Sequence, residues 1–183
     1  RATLRELGAE MGFAVESVPD ALYDGERVSS SSIRDALRGG DVAKSGAMLG
    51  RPYSVCGTVS RGKGLGELLG YPTANVPVDE AKLLPAEGVY VGYASAAQQR
   101  YPAVAHLGGS PTFGEAEPLL EVHILDRHLE LGGHTVCFDM IERIRPPIRF
   151  ASRDELRAQM QADVEQARGM LSVRIGDNLD AGG

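Results

Sequence analysis

The feature that most constrains the fold is a series of short apolar segments between residues 53 and 142. Runs rich in Val, Tyr and Thr are separated by Gly, Pro and polar residues, and they read YSVCGTVS, GVYVGYASA, YPAVAHLG, LLEVHIL and HTVCFDMIE. No connection between them has the pattern of the crossover helix that a parallel nucleotide-binding sheet requires. The pattern therefore predicts an antiparallel β-barrel or β-sandwich.

Helical segments are predicted on both sides of these strands. Residues 1–48 are largely polar with helical spacing, and the serines of VSSSSIRDALRGG would cap a helix that ends at Gly39 and Gly40. A second short helix is expected from Asp41 to Leu49. After the strands, the capping box SRDE at 152–155 begins an amphipathic helix that packs on them.

These patterns divide the chain into segments 1–48, 49–172 and 173–183, and the last segment is expected to be a flexible tail. The chain starts at Arg1 inside a helical pattern, and we interpret it as a fragment of a longer protein. The sequence indicates no oligomeric state.

Composition disfavours several classes of partner. The net charge of −6 and the pI near 5.2 provide no basic field, so no nucleic-acid partner is expected. No apolar run approaches the roughly 20 residues that cross a bilayer, so no membrane partner is expected. Cys56 and Cys137 are far apart and form no CxxC motif, so the sequence predicts neither a disulfide scaffold nor a zinc site. We expect a reducing, cytoplasmic location.

The segment GYPTANV at 70–76 presents two oxygen donors. If Pro72 leads into an extended segment, Thr73 and Asn75 point to the same side, where a hydroxyl and an amide oxygen suit a metal ion. In the alternative interpretation, Thr73 is an ordinary strand residue, Asn75 forms a turn, and neither residue binds a ligand.

A glycine-rich loop precedes this segment. Its backbone could approach phosphate oxygens closely, and its lysine could add a positive charge. A Walker P-loop is rejected, because a glycine stands where the magnesium-binding Ser or Thr belongs. A loop without a ligand remains the alternative. The candidate residues are Gly62, Lys63, Gly64, Gly66 and Gly70.

Glu121 is a carboxylate inside the apolar run LLEVHIL. By alternation it shares one strand face with His123 and Leu125, either towards solvent or in a pocket where it could act as a general base. The histidines at 106, 123, 128 and 134 lack metal-ligand spacing, and we interpret them as surface or loop residues. Ser31 has no companion base that would make it a nucleophile.

Taken together, the blocks resemble the riboflavin kinase family in the family's order, from roughly Leu49 to Arg168. The blocks are GRPYSVCGTVSRGKGLGELLGYPTANV, LLPAEGVYVGYA, YPAVAHLGGSPTF, LEVHILD and IRPPIRFASRDELRAQMQADVEQAR. The resemblance implies a mainly β fold, a six-stranded Greek-key antiparallel barrel with a C-terminal helix. It also implies small-molecule substrates, with transfer of the ATP γ-phosphoryl group to the 5′-hydroxyl of riboflavin to give FMN, and with Mg²⁺ as the cofactor.

The resemblance also implies roles for the candidate residues. Thr73 and Asn75 would hold the magnesium ion, Glu121 would be the general base, and the loop from Gly62 to Gly70 would cover the ATP phosphates. Residues 88–90 and the C-terminal helix would border the flavin.

The upstream block VSSSSIRDALRGGDVAKSGAMLGRPY resembles the end of the FMN adenylyltransferase module of bacterial bifunctional FAD synthetases. Residues 1–48 would then be a helical remnant of an α/β nucleotidyltransferase domain. Ser30, Ser31 and Arg34 match a motif that contacts ATP phosphates during adenylylation, and without the rest of that domain these contacts should be idle.

The chain departs from the family pattern at His106–Phe113, at Arg127 and at Gly132-Gly133. These departures motivate an alternative hypothesis, a catalytically silent barrel that binds flavin or nucleotide. A barrel that only docks to a partner protein is a further alternative, and convergence of Thr73, Asn75 and Glu121 on one pocket would count against it.

Overall fold

The structure is a computed structural model that describes residues 2–16, 18–62, 64–79, 81–109 and 118–180. Within these ranges the helices are α1 (Ala2–Met11), α2 (Ser30–Gly39), α3 (Val42–Leu49), α4 (Leu65–Leu68) and α5 (Arg153–Asp180). The strands are β1 (Leu22–Tyr23), β2 (Glu26–Arg27), β3 (Tyr53–Thr58), β4 (Ala74–Pro77), β5 (Gly88–Ala96), β6 (Gln99–Gly109), β7 (Pro118–Ile124) and β8 (Thr135–Arg145).

Strands β3 to β8 form one antiparallel sheet in the order β3-β8-β5-β6-β7-β4. Strands β5, β6 and β7 are consecutive neighbours, and β8 returns to lie beside β5, which is the Greek-key arrangement. The two edge strands approach each other after β3, where the N–H of Ser60 donates to the carbonyl of Asn75 at 2.8 Å. The expected six-stranded Greek-key barrel is confirmed as a nearly closed barrel.

Alternation along the strands separates the barrel interior from its outer face. On β7, Leu120, Val122 and Ile124 are buried in the interior, whereas Glu121 and His123 are half-buried on the outer face. This arrangement confirms the predicted alternation. The outer face is the side on which the candidate base lies.

Helices α2 and α3 contribute to the barrel core. Leu37 and Val42 are each 1% exposed and pack among the interior strand residues, and the N–H of Ala86 donates to the carbonyl of Leu37 at 3.0 Å. The hydrophobic core therefore crosses the boundary that the sequence suggested at residue 48. The division into two domains at that point stays a prediction, and it does not coincide with a gap in packing.

The predicted helix ends are found near the amino terminus. Ser29 caps α2 through a reciprocal pair of bonds with Ser32, Gly40 ends it with a φ of 81°, and Asp41 caps α3. The helical prediction for residues 1–48 missed the β1–β2 hairpin. Its turn is Asp24-Gly25, a sequence that favours the positive φ angles observed at both residues.

Helix α5 packs on the outer face of the barrel. Its Val164, Ala167 and Leu171 contact an apolar group on β5, β6 and the end of β7, as the helical spacing predicted. The side chain of Ser152 accepts a hydrogen bond from the N–H of Glu155, as expected of the capping box. The helix continues through Asp180, and no proline interrupts the segment. The expected flexibility of residues 173–183 stays a prediction.

The structure contains a disulfide bond that the spacing of the cysteines did not indicate. Cys56 on β3 and Cys137 on β8 are directly opposite each other in the strand register and form a disulfide bond. Their separation of 81 residues in sequence concealed this, because strand register is a property of the folded barrel. The cysteines therefore give no support to a reducing location.

None of the helices in the described residues is long and apolar enough to span a membrane.

We predict that Leu37→Ala lowers the free energy of unfolding of the whole barrel by about 2–5 kcal/mol, because it leaves a cavity in a shared core. Urea denaturation followed by circular dichroism measures this. Leu4→Ala on α1, where the side chain is 58% exposed, is the control and should change stability by about 0.5 kcal/mol or less. Equal effects of the two variants would contradict a core shared between α2 and the barrel.

We predict that reduction of the Cys56–Cys137 bond lowers the free energy of unfolding by about 2–4 kcal/mol, because the bond restricts the unfolded chain. The measurement compares urea midpoints with and without dithiothreitol. The Cys56→Ser/Cys137→Ser variant is the control, and its midpoint should not respond to the reductant. A parent chain that is equally indifferent would refute the prediction.

Candidate functional site

One row of side chains crosses five strands on the outer face of the barrel. Each member lies directly opposite the next in the strand register, so their side chains share a face. From β8 to β4 the row is Arg145, Val89, His106, Glu121 and Asn75. Asn75 also forms an isolated antiparallel β-bridge with Ser60, which follows β3 in the chain. The register therefore places the predicted base beside one of the predicted metal ligands.

A cavity of about 280 Å³ lies between this row, helix α5 and the segment 146–150, and we call it the apolar cavity. Most of its lining side chains are aliphatic or aromatic. Its polar groups are Thr73, His106, Glu121, His123, Arg145 and Asp163. An apolar enclosure with a few polar groups is typical of a small-molecule site.

The carboxylate of Glu121 is held from one side. Its Oε2 lies 3.3 Å from Nδ1 of His106, and the Glu121 side chain is 41% exposed. The imidazole can donate to Oε2, whereas Oε1 accepts no hydrogen bond from the other described residues. Glu121 can therefore accept a proton from a molecule in the apolar cavity.

His123 fixes the segment that leads to Thr73. Its Nδ1 lies 2.9 Å from the carbonyl oxygen of Pro72, and since a carbonyl can only accept, Nδ1 carries the proton in this bond. The ring of Tyr71 packs edge-on against the imidazole with 5.6 Å between centroids. The interpretation of His106 and His123 as surface or loop residues is thus corrected: both are half-buried strand residues that line the apolar cavity.

A second cavity, of about 440 Å³, lies under the glycine-rich loop, and we call it the glycine-loop cavity. Gly62, Gly64 and Asn75 line it. Its charged lining residues are two arginines and two glutamates: Arg61, Arg127, Glu67 and Glu130. Thr73 lines both cavities. The two cavities are therefore neighbours that share Thr73, with Glu121 in the lining of the apolar cavity and Asn75 in that of the glycine-loop cavity.

Two loop glycines pack against the predicted metal ligands. A Cβ atom at Gly62 would lie 1.9 Å from Nδ2 and 3.0 Å from Oδ1 of Asn75, and a Cβ at Gly66 would lie 3.1 Å from Oγ1 of Thr73. These positions must lack a side chain if the loop is to cover both residues. The oxygens of Thr73 and Asn75 are hard, neutral donors that fit a magnesium ion whose other ligands are phosphates and waters.

The other predicted residues lie in several places. Gly70 has a φ of 87° at the end of α4 and lines neither cavity, and Lys63 lies outside the described residues. Ser30, Ser31 and Arg34 are exposed on α2 and line neither cavity. Within the described part of the chain, no group of three or more His, Cys, Asp or Glu could hold a metal ion.

The expected flavin border at residues 88–90 is only partly found. Val89 and the first turns of α5 line the apolar cavity, but Gly88 does not. The Tyr90 side chain points into the barrel core by strand alternation, where its hydroxyl donates to the carbonyl of Ala86. Burial raises the pKa of the Tyr90 phenol.

Sequence reasoning also missed Arg145 and Asp163. Asp163 lies three residues after Met160 and four before Ala167, on the apolar stripe of α5. A carboxylate on an apolar stripe was the available signal. Arg145 carried no signal, because only the register of β8 against β5 puts it in the row.

The family model described as "Flavokinase: Riboflavin kinase" matches residues 49–171. The chain belongs to the riboflavin kinase family. Among curated riboflavin kinases, the "Bifunctional riboflavin kinase/FMN adenylyltransferase" of Escherichia coli (strain K12) is 37% identical over 171 residues. That match covers 93% of this chain and 54% of the relative, so the chain spans about half the length of this relative.

Solved structures agree with the fold. The crystal structure of a protein from Streptococcus pneumoniae described as a macrolide-efflux protein is 35% identical, with a TM-score of 0.81, and the match covers 90% of this chain and 54% of that one. The riboflavin kinase from Trypanosoma brucei is 24% identical with a TM-score of 0.51, over 66% of this chain and 80% of that chain. The second likeness supports the riboflavin kinase fold alone.

Proposed function

We propose that the barrel transfers the γ-phosphoryl group of ATP to the ribityl 5′-hydroxyl of riboflavin and forms FMN and ADP. The observation that carries the proposal is that two unlike cavities share Thr73. One is mainly apolar and suits a flavin ring. The other is bordered by two arginines, two glutamates and glycine backbone, which can approach phosphate oxygens closely. A kinase needs its acceptor and its donor to meet in this way.

In this proposal Glu121 accepts the proton of the 5′-hydroxyl. The hydroxyl oxygen forms a bond to the γ-phosphorus, the bond from that phosphorus to the β–γ bridging oxygen breaks, and ADP leaves. The proton remains on Glu121 until it passes to solvent. His106 holds Oε2 through the 3.3 Å contact, which leaves Oε1 to face the hydroxyl. Because phosphoryl transfer depends mainly on positioning and charge neutralisation, these residues supply what the chemistry requires.

We propose that Thr73 and Asn75 hold a magnesium ion at the junction of the cavities. Bound there with ATP, the ion would neutralise phosphate charge and orient the terminal phosphate. The chain's part is to present the two oxygens, to cover them with Gly62 and Gly66, and to exclude water through the loop. Gly64 borders the phosphates, while Gly70 permits the turn that returns the chain towards β4. We propose that Lys63 adds its charge to this loop.

For the whole protein we propose a bifunctional FAD synthetase that acts in the cytoplasm, where ATP is available, without a nucleic-acid partner. The N-terminal helices would belong to its FMN adenylyltransferase module. Ser30, Ser31 and Arg34 lie exposed on α2, where a further part of that module could bring nucleotide phosphates to them. In this chain we propose that they play no part in FMN formation.

The proposed function is tested by incubating the 183-residue chain with riboflavin, ATP and magnesium chloride and separating the flavins by chromatography. FMN that forms only with both ATP and magnesium supports the proposal. A folded chain that binds riboflavin but forms no FMN would refute it in favour of a silent flavin-binding barrel.

We predict that Glu121→Ala lowers turnover by about 10²- to 10⁴-fold, because the general base is lost. Glu121→Gln should lose a similar factor while preserving the shape of the side chain. Binding of riboflavin and of ATP, measured by titration, should persist in both. Glu165→Gln on the exposed side of α5 is the control and should keep parental turnover. Parental turnover in Glu121→Gln would exclude Glu121 as the base.

We predict that Gly62→Ala raises the magnesium concentration needed for half-maximal turnover by about 10- to 100-fold, because the methyl group displaces the amide of Asn75. Gly132→Ala is the matched control: it borders the same cavity, but its Cβ would meet no heavy atom within 4 Å. It should show the parental magnesium dependence. If both variants match the parent, the contact between Gly62 and Asn75 has no role in metal binding.

A further inference from the structure

A buried ion pair attaches helix α5 to the row of side chains that contains Glu121. Nε of Arg145 lies 2.9 and 3.1 Å from the two carboxylate oxygens of Asp163, and Nη2 lies 2.7 Å from Oδ2. The side chains of Arg145 and Asp163 are 14% and 6% exposed. Nε2 of Gln159 donates to Oδ1 of Asp163 at 2.9 Å. The carboxylate is therefore fully engaged within the protein.

Arg145 also fixes the segment between β8 and α5. Its Nη1 donates to the carbonyl of Pro146 at 3.2 Å, and its guanidinium lies 5.9 Å from the centroid of the Phe150 ring. Phe150, Met160 and Val164 form part of the cavity wall that faces the strands. One guanidinium thus sets the position of both parts of that wall. A lysine could not do this, because it lacks the planar fork.

The position of the pair in the row indicates which part of the substrate it affects. Glu121 must be close to the 5′-hydroxyl at the end of the ribityl chain, according to the proposed function on which this inference rests. Arg145 lies three strands away across β6 and β5, about 14 Å at the usual spacing of strands. Because Glu121, Arg145 and the first turns of α5 line one apolar cavity, the isoalloxazine ring at the other end of riboflavin would extend towards α5 and Arg145.

We propose that Arg145 and Asp163 are positioning residues that set the distance of α5 from the barrel and thereby the fit of the cavity to the isoalloxazine ring. Both line the apolar cavity, but their polar atoms are engaged with each other, with Gln159 and with the carbonyl of Pro146, so they act through the wall residues. They form no bond to the phosphates or to the transferred group. Their loss should weaken the binding of the ring and leave ATP binding unchanged.

The test uses fluorescence titration of the 183-residue chain with riboflavin and with lumiflavin, which has the ring but no ribityl chain, in the absence of ATP. Arg145→Lys and Asp163→Asn should each raise both dissociation constants by about tenfold or more, and by the same factor. The dissociation constant for magnesium ATP, measured by calorimetry, should stay within about twofold of the parent.

The matched control is Arg168→Ala. Arg168 belongs to the same helix and pairs with Asp126, but that pair is exposed and lies outside the apolar cavity. This variant should bind both flavins as the parent does. Parental flavin binding in folded Arg145→Lys and Asp163→Asn would overturn the inference, and so would an equal loss of flavin and ATP binding, which indicates general destabilisation.

A double variant covers the case in which either single variant fails to fold. Arg145→Met/Asp163→Leu removes both charges, and buried pairs replaced by apolar residues commonly retain stability. We expect it to fold and to bind both flavins about tenfold more weakly, because apolar contacts do not fix the helix in one orientation. Parental binding in this variant would overturn the inference. Failure of the parent chain to form FMN would instead refute the proposed function, since these titrations do not depend on turnover.

Discussion

The closure of the barrel by the Ser60–Asn75 hydrogen bond is the constraint on which the site depends. It joins the end of β3 to β4 and so brings the start of the glycine-rich loop to the outer face of the sheet. Without this closure Gly62 would not reach the side chain of Asn75. Because β4 also pairs with β7, the same strand links the loop to Glu121. This single backbone contact thus brings the glycine-rich loop next to the strands that carry Asn75 and Glu121.

The second constraint is the use of both faces of the sheet. The interior face forms the barrel core with help from Leu37, while the outer face carries the row of site residues and is covered in part by α5. Val164 and Ala167 of α5 are buried against the sheet, and the apolar cavity lies beside the first turns of the helix. The candidate site therefore exists because α5 covers the row of side chains without filling all of the space between the helix and the sheet.

Local patterns in the sequence predicted much of this fold. Strand runs, helix caps and the alternation around Glu121 are short-range properties, and the structure has each of them. Register between strands distant in sequence is not such a property, and it determines the partners of Cys56, His106 and Arg145. The packing of Leu37 against the barrel could not be predicted from the sequence for the same reason. Thr73 and Asn75 could be proposed as ligands from spacing, but their cover by Gly62 and Gly66 required the folded loop.

The distribution of charge explains why neutral side chains occupy the junction of the cavities. Phosphates already bring several negative charges to the proposed metal site, and a carboxylate at position 73 or 75 would repel them. It would also stand beside Glu121, and two adjacent carboxylates would compete for protons. With Thr73 and Asn75 as donors, Glu121 is the carboxylate of the row, and its partner in the next strand is His106. In the proposed function, the row thus places the proposed metal ligand Asn75 and the proposed base Glu121 on adjacent strands, β4 and β7.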